Sequence, residues 1–188
     1  MPTANRPEFD ATLATLTETL GTYFLDSGVP PDAVESYKKC LLNIQGGKLY
    51  RCSTVLDTAK ILKDDDLTAK QTQDLIILGW SIEILNVVFL VWDDIMDGSI
   101  TRRGKPCWYR REEIGMMAIN DRCLLNSAIY IILKIYFKDH TSYHDLVELF
   151  QDTALQVGIE KYELITERKT TSYTFYAPLA LPLIYLQL

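Results

Sequence analysis

Residues 75–97 read LIILGWSIEILNVVFLVWDDIMD, and the fold follows from where this run is placed. From Leu75 to Trp92 only Gly79, Ser81, Glu83 and Asn86 interrupt a series of apolar side chains. The run approaches the roughly 20 apolar residues that a bilayer-spanning helix needs. Glu83 and Asn86 in its interior and the lack of a basic flank make it instead the central core helix of a globular fold, and no transmembrane segment is expected.

The same run delivers Asp93, Asp94 and Asp97 to its C-terminal end, with Arg102 and Arg103 shortly beyond. Side chains four apart share a helix face, so Asp93 and Asp97 aim their carboxylates into one space. Paired anionic oxygens suit Mg2+, which keeps several waters and completes its shell with substrate phosphate oxygens. Guanidinium groups bind phosphate bidentately and keep their charge. Carboxylates with a metal on one side and arginines on the other therefore describe a diphosphate clamp. Acidic runs also end helices as plain solvated turns, and on the acidic residues alone both readings stand. The buried helix favours the clamp, because a carboxylate pair at its mouth needs a counter-charge.

Composition is that of one ordinary globular domain, residues 1–188, with 48% hydrophobic and 23% charged residues. A net charge of −6 argues against non-specific nucleic-acid binding, which needs a basic footprint. Any anionic ligand must then be held by local basic clusters. Cys40, Cys52, Cys107 and Cys123 show no CxxC spacing, so reduced thiols are expected and no role is assigned to them. The first residues carry Glu8, Asp10 and Glu18 against Arg6 and resemble neither a secretory nor a mitochondrial leader, which makes a cytoplasmic location the expectation.

Helical periodicity dominates the chain. It predicts helices over Phe9 to Phe24, Ala33 to Ile44 after Pro30-Pro31, Tyr50 to Leu62 after Gly46-Gly47, and about Thr68 to Met96. Asp64-Asp65-Asp66 reads as a solvated loop and N-cap region. Further helices are expected over Cys107 to Phe137 with Gly115 inside, Asp145 to Thr166, and Ser172 to Leu188, the last interrupted by Pro178 and Pro182. His140 and His144 lie in so polar a stretch that a surface loop is expected rather than a metal site. No strand alternation stands out, and the fold class is an all-α bundle of about seven helices.

Two clusters outside the aspartates offer cations. In Gly46-Gly47-Lys48-Leu49-Tyr50-Arg51, Lys48 and Arg51 open a helix whose N-terminus already favours an anion. The spacing of a nucleotide P-loop is absent. Lys169-Thr170 adds an ammonium and a hydroxyl, which taken alone is uninformative.

Six ordered motifs together resemble the isoprenyl diphosphate synthase family, most closely its animal farnesyl diphosphate synthases. They are Gly-Gly-Lys-Leu-Tyr-Arg at 46–51, Leu-Gly-Trp at 78–80, Asp-Asp-Ile-Met-Asp-Gly-Ser-Ile-Thr-Arg-Arg-Gly at 93–104, Cys-Trp-Tyr at 107–109, Ala-Ile-Asn-Asp at 118–121, and Lys-Thr with Tyr-Thr-Phe-Tyr-Ala-Pro at 169–178. The resemblance implies a helical bundle of the isoprenoid synthase type and Mg2+-dependent condensation of an allylic diphosphate, dimethylallyl or geranyl, with isopentenyl diphosphate. It implies metal ligands at the first aspartate-rich motif, Asp93, Asp94 and Asp97, with Asp93 and Asp97 foremost. It places Arg102, Lys169 and Thr170 on the allylic diphosphate. Lys48, Arg51 and Arg103 fall on the isopentenyl diphosphate, with Asn86 where the family usually has Gln. Catalysis would be carried by Asp93, Asp97, Arg102 and Lys169. Product length would be set at Val88 and Phe89, five and four residues before the first aspartate, and Trp92 stands where the family often has a small residue. The bulk of Trp92 is expected to raise the floor and to keep products at C10 or C15.

Departures from the family pattern shape a further expectation. No second aspartate-rich motif follows, Ala180 to Leu188 carry no charge, and the family's Gly-Gln pair is not recognisable around Val157 to Lys161. The chain thus reads as a truncated synthase ending inside a core helix, without independent catalysis. It is expected to form a homodimer or to associate with a full-length synthase. The alternatives are a terpene synthase derived from such an enzyme and a non-catalytic helical partner.

Overall fold

A computed structural model describes residues 6–42, 48–162 and 172–188 of the chain. Among them are seven α-helices: α1 (Arg6–Asp26), α2 (Pro31–Leu42), α3 (Tyr50–Leu62), α4 (Ala69–Met96), α5 (Ala118–Phe137), α6 (Tyr143–Tyr162) and α7 (Ala177–Leu186). The architecture is the all-α bundle expected from the periodicity, with α4 at its centre packed against α1, α3, α5 and α7. By length and composition α4 and residues 115–137 would suffice to cross a membrane, but 83% of α4's apolar window is buried inside the protein. It is the core helix of the bundle.

Local chemistry explains the boundaries. Helix α1 buries Phe9, Leu13, Leu16, Leu20 and Phe24 at spacings of three and four. It closes where Gly28 turns left-handed (φ 83°), with Val29 N–H bonding to Phe24 O and Gly28 N–H to Leu25 O, the paired bonds of a Schellman stop. Pro31 then opens α2, where a missing N–H is harmless. Helix α4 starts at a capping box between Thr68 and Gln71. The cap is thus a threonine, and Asp64-Asp65-Asp66 forms the exposed turn before it.

Three expectations are corrected. The stretch 107–137 is not one helix: Trp108–Arg110 and Gly115–Met117 are separate 3-10 turns, because Gly115 sits at φ 53°, a left-handed conformation that α-helix cannot contain. Residues 101–106 form a hairpin of β1 (Thr101–Arg102) and β2 (Lys105–Pro106), too short for an alternating pattern to be seen. Helix α7 runs through Pro182 after a π-helical turn, Ser172–Tyr176, and closes at Gln187, left-handed at φ 57°.

A backbone-close helix contact falls at Leu-Gly-Trp. A Cβ at Gly79 would lie 2.7 Å from Cys52 Sγ and 2.9 Å from Cys52 Cα, so the backbone of α4 rests directly on α3. Trp80 next to it donates its indole N–H to Phe9 O at 2.8 Å, fastening α1. Gly79→Ala is therefore expected to force α3 and α4 apart and to cost about 1–3 kcal/mol, read as a fall of several degrees in the thermal midpoint by circular dichroism.

Candidate active site

One face of α4 carries the polar groups of interest. At 100° per residue Glu83, Asn86, Asp93 and Asp97 fall within one broad stripe, and Glu83 and Asp93 are about 15 Å apart along the axis. The two ends of this stripe meet different cations.

At the C-terminal end Asp93 is half-buried and Asp97 exposed as the C-cap, its N–H bonded to Asp93 O at 2.8 Å. Asp94 is 3% exposed and has both oxygens on Arg102: Nε donates at 3.0 and 2.8 Å and Nη2 at 2.7 Å. Of the three aspartates offered as metal ligands, Asp94 is the partner of an arginine, while Asp93 and Asp97 share one face of α4 at a spacing of four. No basic residue lies in the last turn of α4, where the helix dipole is itself negative; a divalent cation fits two carboxylates placed there. Among the described residues there is no group of three or more His, Cys, Asp or Glu side chains placed to hold a metal ion.

The turn after Asp97 is tightly built. Gly98 at φ 64° and the bond from Ser99 N–H to Asp94 O stop the helix. Tyr109 Oη donates to Ser99 O at 2.8 Å and Arg110 Nη2 to Gly98 O at 3.2 Å. Trp108 donates its indole N–H to buried Asp121 at 2.8 Å. The motifs at 107–109 and 118–121 thus act together to brace the aspartate turn. Burial first, and then the Asp94 carboxylate, hold the Cys107 thiol above its ordinary pKa. In the hairpin Arg103 (φ 53°) and Gly104 (φ 75°) are the two turn residues, the positive-φ pair that a two-residue hairpin loop requires, and Arg103 is exposed at the tip.

At the other end, Lys48 is exposed and Leu49 enters α3 left-handed with no side-chain cap. The capping group comes from α4: Glu83 Oε1 accepts the Arg51 N–H at 3.1 Å, and Oε2 lies 3.7 Å from Arg51 Nη1. Arg51 Nη2 donates to Thr174 Oγ1 at 2.9 Å. The helix N-terminus expected to hold an anion thus already carries a carboxylate. Asn86, 3% exposed, follows Glu83 by three residues on the same stripe. Lys169, Thr170 and the Gly46-Gly47 pair lie outside the described residues.

The apolar wall separates its residues clearly. Val88 and Phe89 are buried, and Phe89, Asp93 and Asp97 repeat at intervals of four, which puts Phe89 one turn beneath the carboxylates. Trp92 lies about 100° round the helix from Asp93 and takes the Arg122 guanidinium of α5 over its ring, 4.3 Å from the centroid. His140 stacks on Tyr185 in the turn before α6, and His144 is exposed in the first turn of α6.

Sequence reasoning missed the partners rather than the cations. Glu83 was visible as a carboxylate inside an apolar run, and such a group requires a cation; Arg51 was the one at hand. Asp121 and Thr174 stood inside quoted motifs with no sign of what they touch, and Arg122 carried no signal.

This helical arrangement, with aspartates at the end of a central helix facing an arginine hairpin, defines an isoprenoid synthase fold. A sequence profile of the polyprenyl synthetase family matches residues 34–188. The chain is 39% identical to the farnesyl pyrophosphate synthase of Kluyveromyces lactis, over 94% of this chain and 58% of that one. It is 39% identical to the enzyme of Ganoderma lucidum, over 94% and 55%, and 44% identical to farnesyl pyrophosphate synthase 2 of Arabidopsis thaliana, over 76% and 48%. The solved T. brucei farnesyl diphosphate synthase complexed with risedronate superposes with a TM-score of 0.89 at 28% identity, over 97% of this chain and 61% of that one. The chain belongs to the polyprenyl synthetase family and spans a little over half the length of the curated yeast and fungal relatives above.

The buried Asp94–Arg102 pair generates a test of the turn itself. Asp94→Asn is expected to lower stability by about 1–2 kcal/mol, less than a fully buried charged hydrogen bond because Arg102 is partly solvated. The urea midpoint measures it, and amide exchange should accelerate over residues 98–106.

Proposed function

We propose that this chain serves a prenyltransferase that joins an allylic diphosphate to isopentenyl diphosphate. The observation that carries the reading is the stripe on α4, which sets a carboxylate pair at one end and reaches the Lys48/Arg51 helix start at the other. Asp93 and Asp97 would hold Mg2+, which when bound neutralises charge on the departing allylic diphosphate. Arg102, oriented by Asp94, would face the same group from the hairpin, and the family resemblance assigns Lys169 and Thr170 to the same diphosphate. Lys48, Arg51 and Arg103, with Asn86, take the isopentenyl diphosphate without metal, which keeps the two reactants distinct and oriented.

In the proposed reaction the allylic carbon–oxygen bond breaks to leave a carbocation. The isopentenyl double bond attacks it, and loss of a proton gives a diphosphate five carbons longer. The chain's part is to bind and orient both ends, to spread the leaving charge over guanidinium donors, and to keep water from the cation with the apolar side chains below Asp93. Association with a second copy or with a full-length synthase is part of the same proposal, supported by outward apolar residues of α5 such as Ile119 and Ile135.

Titration with a non-reactive allylic diphosphate analogue tests the metal pair. Binding is expected to require Mg2+, and Asp93→Ala or Asp97→Ala to abolish that requirement together with most of the affinity. Equal binding with and without metal in the unaltered chain would overturn the assignment.

Product length generates a second test. Phe89 sits in the row of the aspartates, whereas Trp92 is held against α5. In an active enzyme carrying these residues, Phe89→Ala is expected to shift the products to longer prenyl alcohols by chromatography, and Trp92→Ala to shift them less.

A further inference from the structure

The reading of Lys48 and Arg51 as cations for a diphosphate carries a further inference, which rests on it. Arg51 is not a loose surface arginine: its side chain is 17% exposed and is addressed from two other elements. Glu83 crosses from α4 to take the Arg51 backbone N–H with one oxygen and to face the guanidinium with the other. Thr174, in the π-helical turn 172–176, accepts from Nη2 at 2.9 Å. Helix α3 has no side-chain cap of its own, so the carboxylate that fixes its first turn is the one that fixes the arginine.

We propose that Glu83 and Thr174 are positioning residues for Arg51, holding its guanidinium ready for the diphosphate of the metal-free substrate. A long arginine ordered only on binding would lose rotamer freedom at that moment, and fixing it beforehand removes this cost from the affinity. Glu83 is itself 6% exposed, and a carboxylate so placed requires a cation; the pair is therefore kept in the absence of ligand. The side-chain separation of 3.7 Å is looser than a two-pronged arginine–carboxylate bond, so Glu83 steers the guanidinium without closing over it. Thr174 adds a directional acceptor from a different part of the chain, and π-helical turns are frequent at functional sites.

The test is calorimetric titration of the full chain with isopentenyl diphosphate, and separately with inorganic diphosphate, in a chelator without metal. Thr174→Val, equal in shape but lacking the hydroxyl, is expected to weaken binding about tenfold, and Thr174→Ser to restore it. Glu83→Gln is expected to weaken binding by a similar factor. Neither loss should add to that of Arg51→Ala, since both act through the same guanidinium. Circular dichroism reports folding, and should Glu83→Gln fail to fold, the valine–serine comparison at 174 carries the test. Unchanged affinity in Thr174→Val overturns the proposal, as does tighter binding in Glu83→Gln, which would make Glu83 a competitor of the ligand. An unaltered chain that binds neither probe overturns the reading of Lys48 and Arg51 as well. Magnesium-dependent binding of an allylic analogue at Asp93 and Asp97 then shows whether the other pocket survives.

Discussion

The contact of Gly79 with Cys52 sets the geometry on which the site depends. Because a Cβ at residue 79 would fall 2.7 Å from Cys52 Sγ, α3 and α4 lie backbone to backbone at that level. One turn further along α4 is Glu83, and one residue earlier on α3 is Arg51. The ion pair at 3.7 Å and the bond to the Arg51 N–H at 3.1 Å are thus reachable only because the helices touch where they do. A wider crossing would leave Glu83 buried without its cation, a far more costly state than the pair.

The same logic organises the rest of α4. Three carboxylates interrupt its apolar surface and are nearly fully buried, and each is tied to a different element. Asp74 accepts from Tyr185 of α7 at 2.6 Å and from Lys70 at 2.5 Å, Glu83 meets Arg51 of α3, and Asp94 meets Arg102 of the hairpin. An apolar helix can slide or rotate against apolar neighbours at little cost, whereas a misplaced buried carboxylate cannot be tolerated. These three residues therefore fix the register of what packs around α4. Asp93 and Asp97 differ from them in being half-buried and exposed, so burial does not demand a fixed protein cation for them as it does for the other three.

Much of this was legible in the sequence because it depends on periodicity. Helix α3 occupies the expected Tyr50–Leu62, and α4 lies within one residue of the expected span. The expectation failed where single backbone angles decide: Gly115 at φ 53° splits the helix expected over 107–137, and Arg103 with Gly104 makes a hairpin from strands of two residues. Neither leaves a periodic trace. Within the candidate site, spacing pointed to Asp93 and Asp97, and the position of Lys48 and Arg51 at a helix start pointed to Arg51. Contacts made across the fold stayed hidden, because Thr174 is 123 positions from Arg51 and its motif gives no sign of that partner.

Motif residues that touch no ligand in this reading have a physical role of their own. Trp108 and Tyr109 stand in one short turn, yet the first is anchored on Asp121 of α5 and the second on Ser99 after the aspartates. The segment is thereby clamped between the helix that follows it and the turn that precedes it. Arg110 adds bonds to Gly98 O and Ser99 O, placing a positive group against the carbonyl end of α4, where the helix dipole favours it. Together with the Asp94–Arg102 pair, that clamp holds a hairpin whose two short strands are marginal on their own in water. The orientation of the hairpin that carries Arg102 and Arg103 is therefore set in part by a tryptophan, a tyrosine and a buried aspartate.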